Sequence, residues 1–221
     1  MQITYYGHAS FLVEIQGKKV LFDPFISPNE LAKNIDISRI HPDYILLSHG
    51  HQDHVADALS IAQQSGAMIV ISWYGQQGYE KCYPLNHGGA TQLDFGTVKY
   101  VNAVHSSVLP DGTYGGNPGG FVCTSEDRNF YFAGDTALTL DMQLIPKFAP
   151  LDVAILPIGD GFTMGYEDAI IASDFINCNQ VIGMHYDTFP FIKIDKEKAQ
   201  HAFKDAGKEL ILMDIGESRE F

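Results

Sequence analysis

Asp43-Tyr44-Ile45-Leu46-Leu47-Ser48-His49-Gly50-His51-Gln52-Asp53-His54 is the stretch on which the reading of this chain turns. Its first part is a short continuous apolar run, the pattern of a strand buried on both faces. The run ends at Ser48, and three histidines and an aspartate follow within six residues. In extended backbone, residues two apart point the same way, so His49 and His51 can share one ion. A turn into a helix then presents Asp53 and His54 to a second ion close by. Imidazole and carboxylate suit zinc and related divalent cations, and Asp53 falls near a helix N-terminus, where carboxylates are favoured. The alternative, a polar turn with exposed histidines, leaves the clustering without a reason.

Outward from this stretch, strands and helices alternate. Val55, Ala58, Leu59 and Ala62 recur at spacings of three and four, and Gly66 stands where a helix C-cap glycine belongs, so a helix is expected after the histidines. Upstream, Gln2 to Tyr6, Ser10 to Ile15 and Lys19 to Phe22 read as strands, the last two joined by a Gln16-Gly17-Lys18 turn. Asp23-Pro24 breaks the run. Downstream, strands are expected at Met68 to Ser72, Thr97 to Val104, Gly120 to Thr124, Phe130 to Ala133, Val153 to Leu156, Val181 to Met184 and Glu209 to Met213. Helices are expected near Leu140 to Phe148, over Tyr166 to Asn177 and over Lys196 to Ala206. The alternation argues for α/β layers, and two similar halves are compatible with it. Without a linker, repeat or low-complexity tract, residues 1–221 read as one domain. Trp73 and the many Tyr and Phe residues read as core.

Three further residues sit just after apolar strands: His105, Asp135 and His185. Ends of sheet strands are where α/β proteins build sites, and the shared placement makes these three the candidates to complete the metal ligand set. The order His49-x-His51-x-Asp53-His54, His105, Gly134-Asp135, His185 resembles the ligand set of the metallo-β-lactamase superfamily. Tyr6-Gly7-His8-Ala9-Ser10-Phe11, Gly88-Gly89, His105-Ser106-Ser107, Gly115-Gly116-Asn117-Pro118, Thr163-Met164-Gly165 and His185-Tyr186-Asp187-Thr188-Phe189-Pro190 are similar to one subgroup, small metal-dependent hydrolases akin to ascorbate-6-phosphate lactonase. The likeness runs from residue 1 to about residue 192. It implies a four-layered αββα sandwich of two mixed β-sheets with the site at one edge. It also implies that His49, His51 and His105 hold one metal, that Asp53, His54 and His185 hold a second, and that Asp135 bridges them. Asp160, Tyr166 and His87 depart from the subgroup's pattern near loops that rim such a site.

Two divalent ions about 3.5–4 Å apart lower the pKa of a shared water towards 7 and polarise a carbonyl or phosphoryl oxygen. That chemistry covers esters, lactones and phosphoesters without a serine or cysteine nucleophile. Asp53 is then the expected catalytic residue, orienting the nucleophile and passing its proton to the leaving group. His8 reads as a substrate hydrogen bond, a contact to a ligand, or a buried structural histidine. Asp23 reads as an acceptor orienting a ligand imidazole or as a turn-former. Ser106, Ser107, Tyr186 and Thr188 flank ligands as candidate substrate donors or as loop hydrogen bonds, while His41, His87 and His201 read as surface.

Composition narrows the partners. Lys and Arg number 14 against 27 Asp and Glu, a net charge of −13, which disfavours nucleic acid and anionic membranes. A small anion remains compatible with a cleft in which two cations offset Asp53 and Asp135. No apolar run approaches the roughly 18 residues of a membrane span. The three cysteines form no CxxC pair, as suits a reducing cytoplasm. The sequence therefore predicts a cytoplasmic hydrolase of a small molecule carrying two divalent ions, zinc or manganese foremost and iron compatible, with a homo-oligomer left open. An iron-dependent oxidoreductase of the same superfamily and a non-catalytic metal- or ligand-binding protein are the competing readings.

Overall fold

The computed structural model describes residues 1–71 and 78–221; Trp73, and Ser72 at the end of an expected strand, lie outside the described residues. Two mixed sheets stack face to face, flanked by helices, as the sandwich expectation required. The first contains β1 (Gln2–Gly7), β2 (Ser10–Ile15), β3 (Lys18–Phe22), β4 (Tyr44–Leu46), β5 (Met68–Val70) and β6 (Cys82–Tyr83). The second contains β7 (Ala90–Leu93), β8 (Gly96–Asn102), β9 (Gly119–Thr124), β10 (Asn129–Phe132), β11 (Val153–Pro157), β12 (Gln180–Met184) and β13 (Glu209–Ile211). The chain then returns to the first sheet, where β14 (Ser218–Glu220) pairs antiparallel with β1.

The strand orders are β14-β1-β2-β3-β4-β5-β6 and β13-β12-β11-β10-β9-β8-β7. Each sheet is antiparallel at one side and parallel at the other: β3, β4, β5 and β6 run parallel in the first, and β10, β11, β12 and β13 in the second. The two halves thus share a grammar, an antiparallel meander feeding parallel strands with crossovers. β4 and β11 are buried at every position, which is why they read as continuous apolar runs. Between the sheets Phe22 stacks on Phe132 at 4.7 Å and meets Phe130 edge-on at 5.8 Å, an aromatic seam that locks the layers.

Three expectations change in detail. The helix after the histidines is two pieces, α1 (Gln52–Val55) and α2 (Ala58–Ser65). Asp57 separates them because its carboxylate accepts from the Ile26 and Ser27 amides at 2.7 and 2.8 Å, pinning the junction to the loop after β3. Gly66 does close α2 in the left-handed conformation. The Leu140–Lys147 segment is a 3-10 helix, because Pro146 lies inside it and offers no amide for an α-helical ladder. β6, β7 and β14 were not expected from the sequence. They are short edge strands of two to four residues, and β14, Ser-Arg-Glu, is exposed throughout. The other α-helices among the described residues are α3 (Tyr166–Phe175) and α4 (Lys196–Asp205), the latter capped by the Asp195 carboxylate on the Lys198 amide.

Phe22→Ala is expected to cost about 3–5 kcal/mol, since it empties the centre of the seam. A urea midpoint measures it, against Leu140→Ala, an exposed position where the change should stay within about 0.5 kcal/mol.

Candidate metal centre

The sequence-predicted donors meet at one edge of the sandwich, each carried past the end of a strand. His49 follows β4 and is buried, its Nδ1 2.9 Å from Ser48 Oγ and its Nε2 2.9 Å from His51 Nδ1. His51 occupies the extended position before α1. Gly50 between them allows close approach: a Cβ there would lie 2.8 Å from Gly115 Cα. The first turn of α1 then carries Asp53 and His54, and the His54 amide donates to His51 O at 2.9 Å. The chain therefore turns between the two pairs, as the spacing required.

His105, Asp135 and His185 arrive from the other sheet, after β8, β10 and β12. Gly134, at φ 61°, sets the turn that delivers Asp135, and a Cβ on it would stand 2.6 Å from Ser48 Cβ. No other residue fits without moving the His49 loop. The His185 amide donates to His8 O at 2.9 Å, so backbone hydrogen bonding joins the sheets beside the site.

The donors form three close-set groups, of which Asp23, His49 and His54 make one. His49, His51 and His105 bring ligand atoms within 4.8 Å of one another, and so do His8, Asp53, His54 and His185. Asp135 lies between these last two: its Oδ2 is 3.4 Å from His105 Nε2, 3.3 Å from His54 Nε2 and 3.0 Å from His185 Nε2. His54 Nε2, His185 Nδ1 and Asp135 Oδ1 are buried without a hydrogen-bond partner. An unmade bond of this kind costs about 1–3 kcal/mol. Of these atoms, His54 Nε2 faces Asp135, whereas His185 faces it through its other nitrogen, Nε2; close-set imidazole and carboxylate donors of this kind fit divalent cations.

Protonation in the cluster agrees. Burial pushes His49 well below the ordinary imidazole range, with the neighbouring His54 adding to it, and burial likewise lowers His51 and His105. Neutral imidazole is the form that ligates. Burial raises the Asp135 carboxyl, but His185 and His54 outweigh it and hold the group ionised. At Asp53 burial is likewise overcome, by the hydrogen bond to His8 and the charge of His54. His54 is itself drawn upward, against burial, by Asp135 and Asp23.

Of the two readings of Asp23, the turn-former and the imidazole-orienting acceptor, the structure shows both at once. It is fully buried at φ 39°, accepts from Ser48 N at 2.7 Å, and lies 2.8 Å from His54 Nδ1, which leaves His54 Nε2 facing Asp135.

The five candidate substrate contacts separate, and Ser107 Oγ is taken up by loop backbone, donating to Gly115 O at 2.8 Å and accepting from the Gly50 amide at 2.9 Å. Ser106 lines the cleft of about 220 Å³ that opens over His51, Asp53, His105, Asp135 and His185, its Oγ 3.4 Å from His51 Nε2. Tyr186 and Thr188 instead line a second cavity of about 620 Å³ with Lys193 and Lys196; the backbone after His185 turns them away from the cleft. His8 is buried and has both ring nitrogens engaged, Nε2 at 3.1 Å from Asp53 Oδ2 and Nδ1 at 3.0 Å from Thr188 Oγ1. It holds Asp53, with Thr188 behind it. Phe162 and Phe189, which complete the cleft lining, were missed. They lie in or beside the quoted Thr163-Met164-Gly165 and His185-to-Pro190 stretches, but a lone phenylalanine in a loop carries no chemical signature.

Residues 2–185 match the family model of the beta-lactamase superfamily domain. A UPF0173 metal-dependent hydrolase of Flavobacterium johnsoniae is 56% identical over 225 residues, covering all of both chains. One from Methylacidiphilum infernorum is 47% identical over 223 residues, covering 99% of each. Among solved structures, Igni18, a metallo hydrolase from the archaeon Ignicoccus hospitalis, superposes with a TM-score of 0.88 at 33% identity, covering 100% of this chain and 98% of that one. The chain belongs to the metallo-β-lactamase superfamily and, within it, to the UPF0173 metal-dependent hydrolases. Among the described residues no helix is long and apolar enough to cross a membrane.

Asp23→Ala is expected to weaken divalent metal binding by about 10- to 100-fold, because it frees the His54 ring and the Ser48 turn. Competition against a chromogenic chelator measures the loss, with His201→Ala, an exposed position on α4, as the unchanged reference.

Proposed function

We propose that the chain hydrolyses a small ester, lactone or phosphoester with two divalent cations, zinc or manganese foremost, in the paired donor groups. The observation that carries this reading is the position of Asp135 Oδ2, within 3.4 Å of His105 on one side and 3.3 Å of His54 on the other. A single carboxylate serving both groups is the arrangement a two-ion site needs. His49, His51 and His105 would hold one cation, Asp53, His54 and His185 the other, and Asp135 would serve both. Bound there, the cations supply a nucleophile from water at neutral pH and polarise the oxygen that takes up charge.

The chain's own residues do the rest. The water oxygen bonds to the acyl carbon or phosphorus, the bond to the leaving oxygen breaks, and the water proton ends on that leaving oxygen. Asp53 carries the proton between them, since of the two carboxylates that line the cleft it is the more exposed, 28% against 3% for Asp135. His8 fixes its Oδ2 from behind, which keeps the carboxylate in one orientation through the cycle. Ser106, on the rim beside His51, donates to the substrate. The acidic surface, at −13, favours a free small molecule over nucleic acid.

Purified protein is expected to carry close to two transition-metal ions by elemental analysis. His51→Ala and Asp135→Ala should lose metal and hydrolysis together. Asp53→Asn should lower kcat by about 100-fold or more, with metal content measured alongside. A panel of lactones, carboxylic esters and phosphodiesters reads the activity. Full turnover by chelated, metal-free protein overturns the reading, as does iron content coupled to oxygen consumption without hydrolysis.

A further inference from the structure

The cleft over the donor cluster measures about 220 Å³, below the roughly 300–1,000 Å³ of pockets that engulf a whole ligand. It admits the reacting group, and the remainder of a substrate must lie across its mouth. The mouth is apolar. Phe162, which lines the cleft, is 55% exposed, and Phe191 beside it is 80% exposed. Their rings meet edge-on at 6.4 Å. Phe189 continues the surface inward and packs against Phe25 at 6.2 Å.

These exposed rings are mounted on built backbone. The loop of Phe162 passes through Asp160 and Gly161, both in the left-handed region at φ 60° and 69°. It is closed by the Asp160 amide on Met164 O at 3.0 Å and anchored by the Met164 amide on Thr136 O at 3.0 Å, next to Asp135. Phe191 sits between Pro190 and the fully buried Ile192, whose carbonyl accepts from the Asp187 amide at 2.8 Å. Two phenyl rings held in water on ordered turns are unfavourable unless something covers them.

Charge points the same way. Among the described residues no lysine or arginine lines this cleft, although a phosphate or carboxylate handle calls for one. Lys193 and Lys196 line the second cavity instead, where Lys196 Nζ is tied to Asp187 at 3.2 Å.

We propose that the non-reacting part of the substrate is an uncharged alkyl or aryl group, and that Phe162 and Phe191 receive it as it leaves the cleft. This rests on the hydrolase reading above and selects, within it, esters and lactones with an apolar handle over phosphorylated ones.

The test uses metal-loaded protein and the Phe162→Ala/Phe191→Ala double variant. Para-nitrophenyl acetate and hexanoate share a leaving group, so the ratio of their kcat/KM values isolates the acyl chain. The ratio is expected to favour hexanoate by at least about tenfold and to fall to near one in the double variant. Binding of N-hexylacetamide against N-methylacetamide, titrated by NMR, is expected to show the same preference and the same loss without any turnover. If nothing in the panel of lactones, carboxylic esters and phosphodiesters is hydrolysed while the binding preference holds and depends on the two rings, the hydrolase reading fails and this inference stands. If esters are hydrolysed but neither ratio responds to the double variant, the inference is overturned and the hydrolase reading stands. Preference for an acyl chain ending in phosphate over one ending in methyl overturns it too. So does a double variant that turns a dimer into a monomer in sedimentation while both ratios stay, since the rings would then cover a second copy of this chain. Phe191→Ser alone, at the more exposed ring, repeats the measurement should the double variant not fold.

Discussion

Asp23 has no exposure to solvent, and three structural elements are fixed by what reaches its two carboxylate oxygens. Ser48 donates through its amide at 2.7 Å and through its hydroxyl at 2.5 Å, and His54 lies 2.8 Å away through Nδ1. The Asp23 amide in turn donates to Leu46 O at 3.2 Å. The end of β3, the end of β4 and the first turn of α1 are thus tied at one point. Burying a carboxylate costs several kcal/mol; the three contacts oppose that cost without cancelling it, and burial still holds the Asp23 carboxyl above the usual carboxylate range. The geometry is correspondingly unforgiving: Ser48 cannot rotate and His54 cannot flip without stranding the charge. From that rigidity follows the position of the histidine run, which begins one residue after Ser48.

The second sheet meets this fixed point through backbone rather than side chains. Parallel β10, β11 and β12 end in register at the same edge as β3 and β4, so the loops bearing Asp135 and His185 converge on the loops bearing His49 and Asp53. Gly134 packs against Ser48 with no room for a Cβ, and the His185 amide bonds His8 O. The donor set is therefore divided between sheets while its backbone is nearly continuous. A cluster in which burial lowers His49, His51 and His105 while carboxylates are held ionised beside them is unfavourable by itself. It persists because the aromatic seam around Phe22 holds the sheets together independently of it, and the Ser48 bonds to Asp23 fix the loop from which His49 starts.

What the sequence disclosed, and what it did not, follows from these forces. His49 to His54 was legible because donor spacing is a local property, readable from the pitch of a strand and the turn into a helix. His105, Asp135 and His185 were legible only as a set, each after a buried strand that reads as an apolar run. Asp23 was left between two roles because its partners lie 25 and 31 residues away, a distance no local pattern spans. Tyr186 and Thr188 were placed near the site by adjacency to His185, but His185 and Asp187 both adopt left-handed backbone, and the chain turns its next side chains into another cavity. The break at Asp57 was hidden for a related reason: helical periodicity persists through it, and the interruption comes from the distant Ile26 and Ser27 amides. Edge strands such as β14 carry no apolar signal, since only their backbone is used.

Charge sets the last constraint on mechanism. An acidic chain repels polyanions at a distance, yet hydrolysis places negative charge on oxygen inside the cleft. Elsewhere that charge is met by arginine, lysine or an array of amides. Here the cleft lining offers no lysine or arginine among the described residues, and burial drives its His51 and His105 towards the neutral form. Asp53 and Asp135 make the unaided site repel the developing anion. In the proposed reaction, compensation therefore has to come from cations held by the donor groups. The same reasoning accounts for an apolar mouth: with every charge in the cleft committed to the reacting atoms, discrimination among substrates falls to the surface beyond them, where Phe162 and Phe191 stand.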